Sequence, residues 1–170
     1  MFIVEGADGS GKTGVAERLA GLLGAKKLHE GGPPKTREEG IRRMEWQFDS
    51  FGQVLDRAFI ISEMIYGPII RGSLIVEEDV IEGWADRFIR KGWILIYCRP
   101  SDRTILEYAR KGTMESVIAS SKKIYKEDGH VELVKIRMEK ILEAYDARID
   151  DLRRRGMEVF YHVRDKSFVR

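Results

Sequence analysis

The sequence predicts an α/β protein built on a mainly parallel sheet with helices on both faces. Short apolar runs alternate along the chain with longer segments of helical spacing, an order typical of parallel sheets. The run over residues 93–98 is apolar on both faces, as expected of a central strand that helices cover on both sides. A glycine-rich segment follows the first apolar run directly and predicts a strand-to-helix turn there.

Five strands are expected, over residues 2–4, 26–28, 53–55, 93–98 and 158–162. Helices are expected over residues 12–23, 38–50, 80–91 and 131–155, because apolar residues recur there at helical spacing. Gly24, Gly92 and Gly156 follow three of these segments and favour helix termination. The last helix carries one apolar stripe that we interpret as a core face: Val134, Met138, Ile141, Leu142, Tyr145, Ile149 and Leu152.

Composition bounds the class of protein. The chain has 170 residues and no Pro/Ser linker, so we expect one domain over residues 1–170. Its 30 Lys+Arg and 28 Asp+Glu leave a net charge of +2, which argues against a nucleic-acid polymer or an acidic membrane as partner. Cys98 is the sole cysteine, which excludes an internal disulfide framework, and no segment approaches the roughly 20 apolar residues of a bilayer span. We expect a cytoplasmic protein.

The segment Gly6-Ala7-Asp8-Gly9-Ser10-Gly11-Lys12-Thr13 fits the phosphate-loop pattern G-x-x-x-x-G-K-[ST] between a predicted strand and a predicted helix. Its glycines let several backbone N–H groups approach phosphate oxygens, and the first turn of the helix adds further donors. Lys12 supplies charge for the β- and γ-phosphates, and the Thr13 hydroxyl is a candidate ligand for Mg²⁺. The pattern predicts an ATP site formed by Gly6, Ala7, Asp8, Gly9, Ser10, Gly11, Lys12, Thr13 and Gly14.

Two other nucleotide-dependent classes do not fit the chain. A GTPase reads guanine with an Asn-Lys-x-Asp segment, and this sequence contains no asparagine. A motor or helicase-type ATPase usually needs a larger domain and an acidic pair closing an apolar strand, and no predicted strand here ends in such a pair. A small phosphotransfer enzyme remains.

Asp56 and Arg57 form the second group of candidate residues, at the end of the predicted third strand. A carboxylate at that position, next to the phosphate loop, is suited to hold Mg²⁺ directly or through water. The planar guanidinium beside it is suited to bind a second phosphate. We therefore expect an acceptor that already carries a phosphate.

These motifs resemble those of the thymidylate kinase family of P-loop kinases, which shares its fold with deoxynucleoside kinases. The similarity rests on the opening Val4-Glu5-Gly6-Ala7-Asp8-Gly9-Ser10-Gly11-Lys12-Thr13, on Asp56-Arg57, and on residues 96–101 with the following segment to Gly112. Residues 61–68 are similar to small phage-encoded members. The resemblance implies a three-layer sandwich with a five-stranded parallel sheet, ATP and Mg²⁺ as donor and cofactor, and a possible homodimer.

The resemblance also implies roles for single residues. The catalytic residues would be Lys12, Asp56, Arg57 and Arg110. Arg110 would be the first residue of a lid around residues 110–126. Thr13 and Asp56 would bind the metal. Asp8 would approach the acceptor sugar, and Arg57 its phosphate; further candidates for acceptor binding are Lys35, Glu63 and Tyr66. The family's Arg-Glu-Pro-Gly-Gly segment is replaced here by residues 28–35, so Lys35 or Arg37 would stand in for its arginine. Trp46 and Phe48 are candidates to stack on the base, although the core is the commoner place for such side chains, and Lys122, Lys123 and Lys126 are candidates for the lid.

The expected reaction transfers the γ-phosphoryl of ATP to a deoxynucleoside monophosphate such as dTMP. A deoxynucleoside kinase is the first alternative, with Glu5, Glu63 or Asp56 as base, but Arg57 would then have no acceptor phosphate to bind. A non-catalytic ATP-binding module is the second. A kinase for polynucleotide ends would need a basic groove, which the net charge of +2 does not favour.

Overall fold

The computed structural model describes residues 1–29, 31–50, 52–100, 133–134 and 136–164. Its strands are β1 (Phe2–Glu5), β2 (Lys27–His29), β3 (Val54–Asp56), β4 (Ile94–Pro100) and β5 (Glu158–Arg164). They form one five-stranded sheet in the order β2-β3-β1-β4-β5, and every neighbouring pair is parallel. The predicted parallel sheet is confirmed, with each strand displaced by at most two residues from its expected ends.

The helices are α1 (Lys12–Leu23), α2 (Arg37–Asp49), α3 (Phe59–Tyr66), α4 (Glu78–Arg90) and α5 (Met138–Arg154), and a π-helical turn over Gly67–Arg71 continues α3. Thr36 caps α2 by accepting the N–H of Glu39 at 3.2 Å. The helices α1, α2, α4 and α5 were expected. The predicted apolar stripe that runs into α5 is buried except at Met138, which is half-buried.

Helix α3 was not expected from the sequence. Six of its eight residues are buried: Phe59, Ile60, Ile61, Glu63, Ile65 and Tyr66. A helix that is enclosed on nearly all sides has no polar face, so its sequence shows no amphipathic period.

The alternation of side chains along the strands divides the core into two layers. Ile3, Leu55 and Leu95 face one side, where they pack in the same cluster as residues of α2, α3, α4 and α5. Their neighbours Val4 and Val54 face the other side, against α1. Because successive residues of a strand point to opposite faces, the sheet lies between two helical layers. This is the expected three-layer arrangement.

The described ranges contain neither a candidate membrane span nor a cluster of metal-binding side chains. No helix there has the length and apolar character that a bilayer crossing requires. Nor do His, Cys, Asp and Glu side chains there gather in groups of three that would suit a metal ion.

Gly40 in α2 allows close packing against the loop before α4. A Cβ at this position would lie 2.5 Å from Val76 Cγ2 and 3.2 Å from Phe59 Cζ. We expect Gly40→Ala to lower the free energy of unfolding, because overpacking costs about 1–3 kcal/mol and outweighs the gain of about 1 kcal/mol in helix propensity. Urea denaturation measures the change.

Gly21→Ala in α1 is the matched control, since no atom lies within 4 Å of its added Cβ. That variant should gain about 0.5–1 kcal/mol of stability. Equal stability of the two variants would show that the contact with Val76 does not restrict position 40.

Candidate active site

The glycine-rich loop lies between β1 and α1, at the carboxyl edge of the sheet. β1 pairs with β3 on one side and with β4 on the other, and Val4 stands opposite Asp56 in the register. Asp56 and Arg57 therefore emerge beside the loop. Open parallel sheets bind ligands at this edge, outside the carboxyl ends of their strands.

Backbone conformation explains the glycines of the loop. A Cβ on Gly6 would lie 2.3 Å from the Cys98 carbonyl oxygen, so the loop approaches β4 too closely for any side chain there. Gly9 and Gly11 have φ angles of +83° and +82°, which L-residues rarely adopt. Gly11 precedes α1, and no side chain among the described residues caps this helix. The first amides of α1 are thus left for an external acceptor.

Lys12 lies over the loop and is 7% exposed. Its Nζ is 3.5 Å from both the Ala7 carbonyl oxygen and Asp8 Oδ1. Burial, together with the nearby Arg57 guanidinium, lowers the pKa of Lys12 despite the opposing effect of Asp8 and Glu5. The contacts of this ammonium group are long, so it has donor capacity left for phosphate oxygens.

Asp8 lies between the two cations of the site. Its Oδ1 accepts a hydrogen bond from Arg57 Nη2 at 2.7 Å, in addition to the long contact with Lys12. Burial acts to raise the pKa of Asp8, but Arg57 and Lys12 outweigh it and hold this pKa at about 2. Asp8 is therefore anionic throughout the physiological range.

Arg57 has a φ angle of +85°, and it is the one non-glycine residue among the described ranges with positive φ. This conformation costs about 1–3 kcal/mol for a residue with a Cβ. Its N–H donates to the Val4 carbonyl at 3.0 Å, which ties the turn to β1. Its guanidinium lies 5.5 Å from the centre of the Tyr66 ring, whose hydroxyl accepts the Asp8 N–H at 3.2 Å.

Asp56 is 1% exposed, and neither of its carboxylate oxygens has a hydrogen-bond partner among the described residues. His29 Nδ1 lies 3.4 Å from Oδ2, and Lys27 Nζ lies 4.0 Å from the same oxygen. Burial acts to raise the pKa of Asp56, but His29, Lys12 and Thr13 outweigh it and lower this pKa. A buried, ionised carboxylate next to a threonine hydroxyl offers the oxygen ligands that Mg²⁺ prefers. Asp56 and Thr13 thus fit the predicted metal site.

Glu5 is fully buried at the end of β1 and joins three parts of the site. Its carboxylate accepts the N–H of Gly6 at 3.1 Å, the N–H of Ala58 at 2.6 Å and the Tyr145 hydroxyl at 3.1 Å. Burial raises the pKa of Glu5, and Arg57 and Lys12 oppose it. Three donors already engage this carboxylate, so its evident role is to connect loop, turn and α5.

A cleft that is partly open to solvent has Arg57 in its wall. Arg57 and Tyr66 contribute to its wall, together with Gly31, Gly32, Pro33, Pro34, Arg43, Phe59, Ser62, Glu63 and Arg71. Three arginines from three different elements therefore line one cleft beside the phosphate loop.

Contacts within the wall orient these arginines. Arg43 Nη1 donates to the Gly32 carbonyl at 3.0 Å, and its guanidinium lies 5.9 Å from the centre of the Phe59 ring. Arg71 Nη2 donates to Glu63 Oε1 at 2.5 Å, and the same oxygen accepts the N–H of Ile75 at 2.7 Å. The cleft thus has a strongly basic wall that also contains one buried carboxylate, that of Glu63.

Most of the residues predicted from the sequence come together at this edge: Asp8, Lys12, Thr13, Asp56, Arg57, Glu63 and Tyr66. Lys35, which was expected to bind the acceptor, is exposed and does not line the cleft. Arg37 pairs with Glu77 at 2.7 Å instead. Gly14, the last residue of the expected ATP site, has open space at its Cβ position. Arg110 and the lid residues Lys122, Lys123 and Lys126 lie outside the described residues.

The two aromatic candidates for base stacking lie elsewhere. Phe48 packs edge-on against Trp84 and Phe88 in the core, with ring centroids 5.7 and 5.5 Å away. Trp46 is 42% exposed and does not line the cleft. The aromatic rings of the cleft are those of Phe59 and Tyr66.

Sequence reasoning missed Arg43, Gln47 and Arg71. Arg43 and Gln47 are four positions apart on α2, on the side of the helix that also contains the buried Gly40 and Met44. Polar side chains on the buried side of α2 were the sequence signal that could have identified Arg43 and Gln47 as candidates. Arg71 belongs to the π-helical turn and had no comparable pattern.

Comparison with known proteins gives a likeness of fold. No protein-family model matches the chain, and no curated protein matches it either. Among solved structures, the YorR protein from Bacillus subtilis, in complex with phosphorylated GDP, is similar over 95% of this chain and 84% of its own, with a TM-score of 0.63 and 20% identity. The chain therefore shares its three-layer α/β fold with this protein.

A deoxyadenosine kinase from M. mycoides with bound dCTP is more distantly similar. It matches over 98% of this chain and 93% of its own, with a TM-score of 0.47 and 14% identity.

Proposed function

We propose that the protein is a (deoxy)nucleoside monophosphate kinase that transfers the γ-phosphoryl group of ATP to a dNMP such as dTMP. The observation that carries the proposal is the position of Arg57. Its guanidinium lies between the phosphate loop and a cleft whose wall contains two further arginines, Arg43 and Arg71. A cleft with three guanidinium groups suits an acceptor that already has a phosphate.

The donor side consists of the loop amides, the uncapped start of α1 and Lys12. These groups bind the β- and γ-phosphates of ATP and stabilise the negative charge that develops on the phosphate oxygens during transfer. Thr13 and Asp56 would hold Mg²⁺, which supplies charge neutralisation on the phosphate oxygens when bound.

Phosphoryl transfer requires little covalent chemistry from the protein. An oxygen of the acceptor phosphate forms the new bond to the γ-phosphorus, and the bond from that phosphorus to the bridging oxygen of ADP breaks. The protein holds two polyanions in line and offsets their repulsion. Asp8 contacts Lys12 on the donor side and Arg57 on the acceptor side, so it marks the junction between the two sites. Arg110 and the lid around residues 110–126 would exclude water.

A deoxynucleoside kinase is the second candidate, and one observation favours it. Arg57 and Arg71 each already bind a carboxylate, namely Asp8 and Glu63. A hydroxyl acceptor needs a carboxylate base near its reacting oxygen, and an arginine is well suited to orient one.

A coupled assay of ADP release decides between these candidates. We expect Mg·ATP turnover to be stimulated strongly by deoxynucleoside monophosphates and weakly by the corresponding nucleosides. Stimulation by nucleosides alone would support the second candidate. ATP binding without stimulation by either class would indicate a non-catalytic ATP-binding module and would overturn both.

A further inference from the structure

Gln47 of α2 holds the backbone of the turn that presents Arg57. Its Oε1 accepts the N–H of Phe59 at 2.9 Å, and its Nε2 donates to the Arg57 carbonyl at 3.3 Å. A single carboxamide thus bridges two residues of the turn, one on each side of Ala58. Gln47 is 2% exposed, so water does not compete for these bonds.

The other polar groups of the turn are held by β1. Arg57 N–H donates to the Val4 carbonyl at 3.0 Å, and Ala58 N–H donates to Glu5 Oε1 at 2.6 Å. Gln47 and β1 therefore bind different polar groups of the same turn. Arg57 needs such support, because its φ of +85° is unfavourable for a residue with a Cβ.

We propose that Gln47 is a positioning residue for the acceptor phosphate, acting through the backbone of Arg57. This inference rests on the proposed function and adds to it a residue that lies outside the wall of the cleft. Without the carboxamide, the turn relaxes toward negative φ, and the guanidinium leaves the junction between Asp8 and the cleft. Neither of these two hydrogen bonds of Gln47 involves the phosphate loop, so we expect ATP binding to be independent of it.

The chemistry of the position calls for glutamine. Methionine has nearly the same length but neither the donor nor the acceptor. Glutamate keeps an acceptor for Phe59 N–H and loses the donor to the Arg57 carbonyl. Gln47→Met thus removes both bonds, and Gln47→Glu removes the one that holds Arg57 directly.

The test is a double-mutant cycle between positions 47 and 57, measured by steady-state kinetics with Mg·ATP and dTMP. If dTMP is not turned over, the monophosphate that stimulates ADP release most takes its place. We expect Gln47→Met to raise the KM for the monophosphate about tenfold, as expected for two lost hydrogen bonds. The Kd for Mg·ATP should stay within about twofold of the wild-type value. In an Arg57→Ala background, Gln47→Met should produce no further increase, because the group through which it acts is gone.

Gln53→Met is the matched control. Gln53 also binds a backbone group, accepting the N–H of Lys26 at 2.7 Å, but at the opposite edge of the sheet. The Gln53→Met variant should have the wild-type KM for the monophosphate and the wild-type Kd for Mg·ATP. Circular dichroism and melting curves establish that the variants are folded, and if Gln47→Met is not, Gln47→Glu is measured in the same cycle.

Two results would overturn the inference. One is a folded Gln47 variant whose acceptor KM is unchanged. The other is an effect of Gln47→Met that persists in full in the Arg57→Ala background, which would show that Gln47 acts independently of Arg57. Failure of the proposed function would look different, since no monophosphate would then stimulate ADP release by the wild-type protein.

Discussion

Replacing Lys12 with methionine is expected to lower kcat about 10²–10³-fold, the usual consequence of removing one preorganised charge from a transition state. Lys12 is nearly buried over the phosphate loop, so solvent does not screen its charge and no other described lysine lies in that position. The change is measured by ADP release at saturating acceptor.

Lys26→Met is the control for that variant. Lys26 is exposed and precedes β2, at the edge of the sheet away from the phosphate loop, so kcat should be unaffected. Wild-type turnover in a folded Lys12→Met protein would show that the loop does not act on the transferred phosphate.

Arg57→Met is expected to lower kcat/KM for nucleoside monophosphates about 10²–10³-fold, because it truncates a partly buried charge that binds an anion. The Kd for Mg·ATP should change little, since the loop amides and Lys12 remain. The variant also leaves Asp8 without its 2.7 Å partner, so the pKa of Asp8 should rise from its value of about 2. Steady-state kinetics with a monophosphate and its nucleoside measure the effect.

Arg90→Met provides the comparison, because Arg90 is exposed at the end of α4, before β4 begins. A loss confined to monophosphates supports phosphate binding by Arg57. An equal loss with a nucleoside acceptor would contradict it and would indicate that Arg57 acts by holding Asp8.

The parts of the site that follow directly from one stretch of sequence were predictable. The phosphate loop needs glycines at the places where φ is positive or where β4 approaches, and these requirements appear as a contiguous motif. Asp56 and Arg57 could be assigned to the site because parallel strands end at a common edge. The strands and the amphipathic helices were predictable in the same way, from the spacing of apolar residues along the chain.

The set of residues that line the cleft beside Arg57 could not be predicted in this way. Arg43 and Arg71 belong to a helix and a π-helical turn far apart in the chain, and they meet only because α2 and α3 pack on the same face of the sheet. Helix α3 itself escaped prediction because burial on most sides removes the period by which helices are recognised. Lys35 was selected by its position in the chain, but its side chain lies outside the cleft wall.

The amino-acid sequence by itself determined the alternation of strands and helices and the loop suited to bind phosphate, because these depend on local periodicity and on backbone freedom at glycine. Tertiary structure alone decided which side chains line the cleft and how Arg57 is supported. Those features arise from contacts between residues such as Gln47 and Phe59, whose proximity depends on the packing of whole helices against the sheet.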